Sequence, residues 1–482
     1  MLDSSLTKLN QPLAGLLTNA PSVAETLAWL EASVRNSNGA TPADLGKLMD
    51  QAQAGIFGDL RSRIDSVAAQ AVTLKVLNLW LARHHLEARS VQVGSRPISL
   101  YIDPSNSCNL ACPGCVHSTS AKEKGLFDWR GGLLSPDRLE LLLASYGPFA
   151  ANLGFYNYGE PMVNPLTPKY IKLAKTYLLT TSISSNMSLA KIDAEAYVDS
   201  GLDLLTMSID GATQPVYETY RRKGDIGQVF ANITKFVEAK KKRNKQTPVL
   251  SWNFLAFEHN AHEIDTARQL AHDMGVDQFS VFVPFDVSWD DPTIRVAKVA
   301  PSFHSFRSEA NNAVEANFNP FPDRLAAENI ARQFSVSWVN RLGADAGLNP
   351  KEPRHACHWL YRTMVMDAGG RILPCCASPT PQRDLVFSQQ DDRPDAVDHY
   401  NSPKYASARS FFTDSEYFKI AGTDIQPHCV SCEWNQEQTN FDGSHVRTYL
   451  KGAETYLAAA ADAAATNPAV FDAASLELLC EW

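Results

Sequence analysis

The sequence predicts an α/β fold whose parallel sheet closes, or nearly closes, into a barrel. Three observations carry this. Strand-like runs recur six times between residues 96 and 286, near 98–103, 151–158, 179–185, 204–209, 249–256 and 278–285. Helical patterns separate them, and strictly alternating strand and helix make a parallel sheet. The chain has 482 residues with 44% hydrophobic content, enough for a barrel and flanking domains with real cores.

Residues 1–95 read as helical. Ser22 and Glu25 form a capping box before Leu27 and Leu30. Thr41-Pro42-Ala-Asp44 opens a second helix with proline at its first position. Ile64, Val67, Ala71, Leu74 and Leu81 mark one face of a third, near 60–88. Val91 to Gly94 reads as a linker. The first strand, Ile98 to Ile102, alternates apolar and polar residues after Pro97, where a missing N–H is tolerated. Among the intervening helices, Ser135-Pro136 caps the first, Pro165 precedes the second, and Asp193 to Ser200 forms the third. Val229, Phe230, Ile233, Phe236 and Val237 stripe the fourth, and Ala261 to Met274 is the fifth. Residues 287–350 are irregular and proline-bearing, with a helix expected near 323–334. The tail from Ser444 is Ala-rich and helical in pattern.

Composition narrows the function classes. A net charge of −9 argues against nucleic acid as the main partner, because phosphate binding needs basic surface. The one basic run, Lys240 to Arg243, ends a predicted helix and complements its dipole. No stretch is apolar and long enough to span a bilayer. No basic segment followed by an apolar run opens the chain, so a cytoplasmic protein is expected. Nine cysteines in that compartment point to metal rather than disulfides.

The chemistry centres on Cys108-Asn-Leu-Ala-Cys112-Pro-Gly-Cys115, a C-x-x-x-C-x-x-C loop just after the first strand. In a barrel this loop lies on the rim where strands end, the usual place for a ligand. Three thiolates can hold three irons of a 4Fe–4S cube and leave the fourth iron open for chemistry. Zinc is the other metal reading, although structural zinc usually takes four ligands and His117 follows Cys115 closely. A disulfide leaves an odd thiol.

Later strands end in polar groups. Gly159-Glu160-Pro161 closes the second, with a carboxylate to accept from an ammonium and a glycine to admit close backbone approach. Ser184 and Asn186 end the third, and Ser208 and Asp210 the fourth. Arg221 and Arg222 follow, suited to pairing with a carboxylate. Taken singly, each also reads as a surface turn or a helix cap. A second cysteine set is spread over Cys357, Cys375, Cys429 and Cys432. Gly370 lies between the first two, and a zinc site is an equal reading of the four thiols.

Together and in this order, the triplet and the rim residues across 96–286 resemble the radical S-adenosylmethionine (SAM) superfamily. The resemblance implies a partial (β/α)6 TIM-like barrel. It implies a 4Fe–4S cluster on Cys108, Cys112 and Cys115 whose open iron chelates SAM through its amino and carboxylate groups. It places Glu160, flanked by Gly159 and Pro161, at the SAM amino group, and Ser184 and Asn186 along the methionine end. Ser208 and Asp210 approach the ribose, and Arg221 takes the SAM carboxylate, with Arg222 as the alternative. Many relatives have an aromatic residue before the third cysteine; this chain has Gly114, so packing against the adenine must come from elsewhere.

Beside such a barrel the second set looks like a SPASM/twitch extension. The shorter twitch form fits better: one auxiliary 4Fe–4S cluster on Cys357, Cys375, Cys429 and Cys432, making two clusters in all. The implied domains are an N-terminal helical domain (1–95), the barrel (96–286), a linker or insert (287–350), the auxiliary-cluster domain (351–443) and a helical tail (444–482). Cys376 and Cys480 are left over. Cys375 fits the glycine spacing better than Cys376, which is also the one candidate for a hydrogen donor in catalysis. The implied activity is reductive cleavage of SAM to a 5′-deoxyadenosyl radical that abstracts hydrogen from a small, polar, sugar-like or natural-product substrate. Net oxidation is favoured, with the auxiliary cluster accepting an electron and a flavodoxin- or ferredoxin-like donor supplying one. Peptide maturation, epimerisation, dehydration and sulfur transfer stay open within the superfamily. Outside it stand an iron–sulfur electron carrier and a zinc-bearing structural protein.

Overall fold

The computed structural model describes residues 78, 82, 85–86, 89–123, 132–147, 149–177, 179–284, 291, 293–307, 357–377, 385–390, 399–412 and 429. The first two expected helices, the helix near 323–334, the Ala-rich tail, Cys432 and Cys480 lie outside the described residues; of the third helix, near 60–88, only residues 78, 82, 85 and 86 are described, and they are helical.

Six parallel strands run in sequence order: β1 (Ser99–Ile102), β2 (Asn152–Gly154), β3 (Thr180–Ser185), β4 (Leu204–Ser208), β5 (Val249–Leu255) and β6 (Gln278–Phe282). They are the six that the sequence predicts. β2 is shorter than its apolar run, because from Asn157 onward the backbone N–H groups turn to the Asp103 carboxylate. Four strands not foreseen extend the sheet. β7 (Ser302–Ser305) pairs antiparallel with β6. β8 (Thr363–Met366) pairs parallel with β1, and β9 (Arg371–Leu373) and β10 (Ser388–Gln389) continue antiparallel. The order is β10-β9-β8-β1-β2-β3-β4-β5-β6-β7. The segment bearing Cys357 and Cys375 therefore shares its sheet with the cysteine loop after β1.

Helices begin where the sequence caps them. Ser135 Oγ accepts from Arg138 N at 3.3 Å to open Pro136–Tyr146, and Asp193 Oδ1 accepts from Ala196 N at 2.9 Å to open Ala194–Asp199. Asp225 does the same for Ile226–Lys242, the longest described helix. Thr167–Lys175 and Ile264–Met274 complete the set between strands. Four described α-helices were not anticipated, Thr119–Glu123, Gln214–Tyr220, Trp359–Arg362 and Pro403–Ser410; all are too short to show a clear period.

β3 and β4 alternate buried and partly exposed residues along most of their length, while every residue of β6 is buried. Ile102, Ile183, Met207, Trp252 and Phe279 are fully buried against helix residues such as Leu139, Ile171, Val229 and Phe236. The intervening residues face the other side of the sheet. At 25 cal/mol per Å² of apolar surface, a core of this size supplies the main stabilising free energy of the barrel. Val91 to Gly94 forms neither helix nor strand, and Val93 is held by Asn401, whose Oδ1 accepts from its N–H at 3.0 Å. Among the described residues no helix is long and apolar enough to cross a membrane.

Candidate active site

The rim is assembled around a buried acid that sequence reading passed over. Asp103 follows β1 directly and is fully buried. Its carboxylate accepts from the backbone N–H groups of Asn157 (2.9 Å), Tyr158 (3.0 Å) and Gly159 (3.1 Å). The loop after β2 is thereby fastened to the end of β1. Burial pushes Asp103 up to about 7; the Asp367 carboxylate adds to the shift, and the three N–H donors oppose it. At Gly159 the two loops touch. A Cβ there would lie 1.7 Å from the Ser105 carbonyl oxygen, so only glycine fits. Glu160 N then donates to Ser107 O at 2.9 Å, next to Cys108.

Glu160 is delivered into this corner almost without exposure. Its Oε1 accepts from Ser185 Oγ (2.8 Å) and Met162 N (3.1 Å), and its Oε2 from Asn186 N (2.9 Å). It caps the short 3-10 helix Pro161–Val163. Burial raises its pKa to about 6, against the pull of those hydrogen bonds and of Arg221. Ser185 was not among the expected residues. Alternation on β3 explains it: Ser184 shares the face of Ser182, whereas Ser185 shares the face of Ile183 and meets Glu160. Asn186, as expected, reaches the cysteine loop. Its Nδ2 donates to Asn109 Oδ1 at 3.0 Å and lies 3.7 Å from Cys108 Sγ.

The three cysteines share one apolar surround. Cys115 N donates to Cys112 O at 3.2 Å, and Gly114 takes φ 74° in that turn, which a larger residue resists. Cys112 is buried among Leu110, Tyr220, Phe257 and Ile294, with Cys108 and Cys115 packed against the same group. Burial pushes Cys108 up to about 11 and Cys112 to about 12, and raises Cys115 as well; the Arg221 guanidinium opposes all three shifts. Thiolates are the metal-binding form, so ionising this set at neutral pH needs a cation bound among the sulfurs. Among the described residues no three His, Cys, Asp or Glu side chains converge as they would on a single ion. The donor set, three soft thiols on one loop, suits an iron–sulfur cube held at three corners.

Arg221 bridges this cluster to β4. Its Nε lies 2.5 Å from Asp210 Oδ2, with the side chains 12% and 0% exposed, and it sits over the Tyr220 ring at 5.3 Å. Asp210 Oδ1 also accepts from Leu255 N at 2.7 Å. Asp210 and Arg221 thus meet each other at the rim. Arg222 pairs instead with Asp291 on a more exposed flank. Ser184 and Ser208, on adjacent strands, bring their hydroxyls within 3.4 Å.

Of the second cysteine set, Cys375 lies near Tyr158 of the Glu160 loop. Cys375 packs with Tyr158, Trp359, Val365, Leu373 and Leu385, while Cys376 is exposed. Tyr158 donates its hydroxyl to Ala377 O, and its ring is close enough to Cys375 and Cys376 for their charges to act on its ionisation. Cys357 and Cys429 pack against the main core. Gly370, between Cys357 and Cys375, takes φ 85°.

Residues 102–254 match the Radical SAM superfamily profile. A probable GTP 3′,8-cyclase of Methanocaldococcus jannaschii is 22% identical over 238 residues, which are 49% of this chain and 75% of that protein. A probable GTP 3′,8-cyclase of Methanococcus maripaludis is 27% identical over 193 residues, 40% of this chain and 60% of that protein. The chain thus spans three quarters of one relative's length and three fifths of the other's. Among solved structures, Streptococcus suis SuiB bound to precursor peptide SuiA aligns with a TM-score of 0.47 at 16% identity, over 81% of this chain and 85% of that one.

Proposed function

We propose, from the radical SAM domain that residues 102–254 carry, that this protein cleaves SAM reductively and abstracts hydrogen from a small polar substrate. The observation that supports this most is the grouping of Cys108, Cys112 and Cys115 around Leu110 and Tyr220, with Asn186 linking Cys108 to the buried Glu160 corner. In this reading the three thiolates hold a 4Fe–4S cluster. When bound, the cluster supplies an electron to SAM, yielding methionine and a 5′-deoxyadenosyl radical.

The chain's own residues then have separate tasks. Glu160 is already oriented by Ser185, Asn186 N and Met162 N, and a carboxylate has room for one more donor, the SAM ammonium. Gly159 and Pro161 hold the backbone on either side. Asn186 and Ser184 line the methionine end, and Ser208 faces the ribose. Arg221 is held by Asp210 and offers its remaining N–H groups to the SAM carboxylate. Tyr220 and Phe257, whose rings lie 4.4 Å apart beside Cys112, offer apolar surface in place of the aromatic residue that Gly114 replaces.

Cys357, Cys375, Cys429 and Cys432 hold the auxiliary cluster in this reading, and the reaction is a net oxidation. Tyr158 and Cys375 pack against the same apolar group, Val365, Leu373 and Leu385, and this nearness of the Cys375 segment to the Glu160 loop supports it. A flavodoxin- or ferredoxin-like protein is the electron donor, in the cytoplasm. The experiment is anaerobic reconstitution with iron and sulfide, followed by dithionite and SAM, with 5′-deoxyadenosine measured. Its formation is expected; a fully loaded protein that forms none would overturn the reading.

A further inference from the structure

The face of β1–β6 opposite the helices has a composition of its own. One row crosses four strands in register: Ser184 beside Thr206, Thr206 beside Ser251, Ser251 beside Gln278. The next row toward the strand ends runs Ser208, Asn253, Ser280. All seven are hydroxyls or amides. Parity along the strands puts no Asp, Glu, Lys, Arg or His on this face of β1–β6, although the helix-facing side is apolar.

Two features make this a ligand surface rather than a packed interior. Thr206 and Asn253, which the SAM reading leaves unassigned, are only partly buried, so the rows border open space. Ser280 is 1% exposed, and its Oγ has no hydrogen-bond partner among the described residues. A buried hydroxyl ordinarily has one. At the β1 end of the same face stand rings: Tyr101 lies 5.5 Å from Tyr156, edge-on, and 6.0 Å from Trp359.

We propose that this face is the floor of the substrate site and that it takes a neutral, polyhydroxylated ring of the sugar or cyclitol class. The inference rests on the radical SAM reading only for calling the ligand a substrate. Hydroxyls and amides that both donate and accept match a polyol, and rings match the C–H face of a cyclic one. A nucleoside triphosphate, as in the names of the curated relatives, needs cations for its phosphates. None stands on this face; of the two arginines at its rim, Arg221 is committed to SAM in the radical SAM reading and Arg222 pairs with Asp291.

The test uses the full chain, reconstituted anaerobically with SAM present, and ligand-observed NMR with myo-inositol, scyllo-inositol, glucose, N-acetyl-triglycinamide and GTP. At least one neutral polyol is expected to bind. Thr206→Val and Ser280→Ala together are expected to weaken it tenfold or more, with thermal midpoint and SAM affinity unchanged. Binding of GTP or the peptide with no polyol bound would overturn the proposal, as would a polyol unaffected by both substitutions. SAM binding, measured in the same samples, reports separately on the cysteine site: its failure counts against the radical SAM reading and leaves the polyol result standing.

Discussion

Ser185 donates its hydroxyl to Glu160 Oε1 at 2.8 Å, so the carboxyl end of β3 is tied to the loop after β2 through a buried carboxylate. Asn186 N takes the other oxygen. The acid is therefore fixed before any ligand arrives, and little reorganisation is needed on binding. Glu160→Gln keeps the shape and removes the charge. It should weaken SAM binding by about 1.5–3 kcal/mol, with iron content unchanged. Calorimetric titration of the anaerobic protein measures this, and an unchanged affinity would remove Glu160 from the SAM site.

Asp103 gives a pH signature. Its pKa rises from 3.8 to about 7 on folding, so between those values the folded protein holds a proton that the unfolded chain has lost. Stability from this group is greatest below about pH 4 and declines as pH rises toward 7. Asp103→Asn retains one acceptor oxygen for the loop N–H groups. It should flatten this part of the profile, by an amount on the order of a few kcal/mol across the window. Denaturant melts of both proteins at pH 5 and 8 decide it: the same pH dependence in each would show that Asp103 does not titrate there.

The six strands of the barrel, their order and the helix caps were legible because each carries a local signal: an alternating run, Ser135 or Asp193 before a helix, a polar residue at a strand end. The cysteine triplet was legible for the same reason. Asp103 was not. Its importance comes from three N–H groups more than fifty residues away, and nothing beside it in sequence announces them. Ser185 was missed for its neighbour Ser184, since a one-residue difference in parity decides which side of the sheet each faces. The parallel pairing of β8 with β1 joins residues more than 250 positions apart, beyond the reach of any local pattern.

Gly159 has no room for a methyl group. Gly159→Ala would press its Cβ into the Ser105 carbonyl and push the Glu160 loop off the end of β1. Overpacking of this kind costs about 1–3 kcal/mol. A lowered thermal midpoint together with weakened SAM binding is expected, and a variant as stable as the parent would contradict the close approach.

Arg221 and Asp210 are a buried pair. Arg221→Met leaves Asp210 charged with no counter-ion and should cost about 3–5 kcal/mol. Adding Asp210→Asn removes that charge and should recover part of the loss. The two variants together separate folding from ligand binding. If the double variant regains stability but not SAM affinity, Arg221 contacts SAM; if it regains both, the arginine is structural.

Cys375 and Cys376 are adjacent but differently placed, one packed beside Tyr158 and Leu373, the other exposed. Cys375→Ser should lower iron content by about one cluster, while Cys376→Ser leaves it intact. Turnover is expected to survive Cys376→Ser as well. Its loss, with solvent deuterium found at the product carbon in the parent enzyme, would make Cys376 a hydrogen donor and the reaction an epimerisation.

The most direct measurement is 5′-deoxyadenosine formed from SAM under dithionite, in the parent and in a variant with Cys108, Cys112 and Cys115 all changed to alanine. The parent, reconstituted to about eight irons per chain, should form it. The variant should retain about half of that iron and form none. 5′-Deoxyadenosine from the triple variant at the parent's rate would contradict the assignment of these three cysteines.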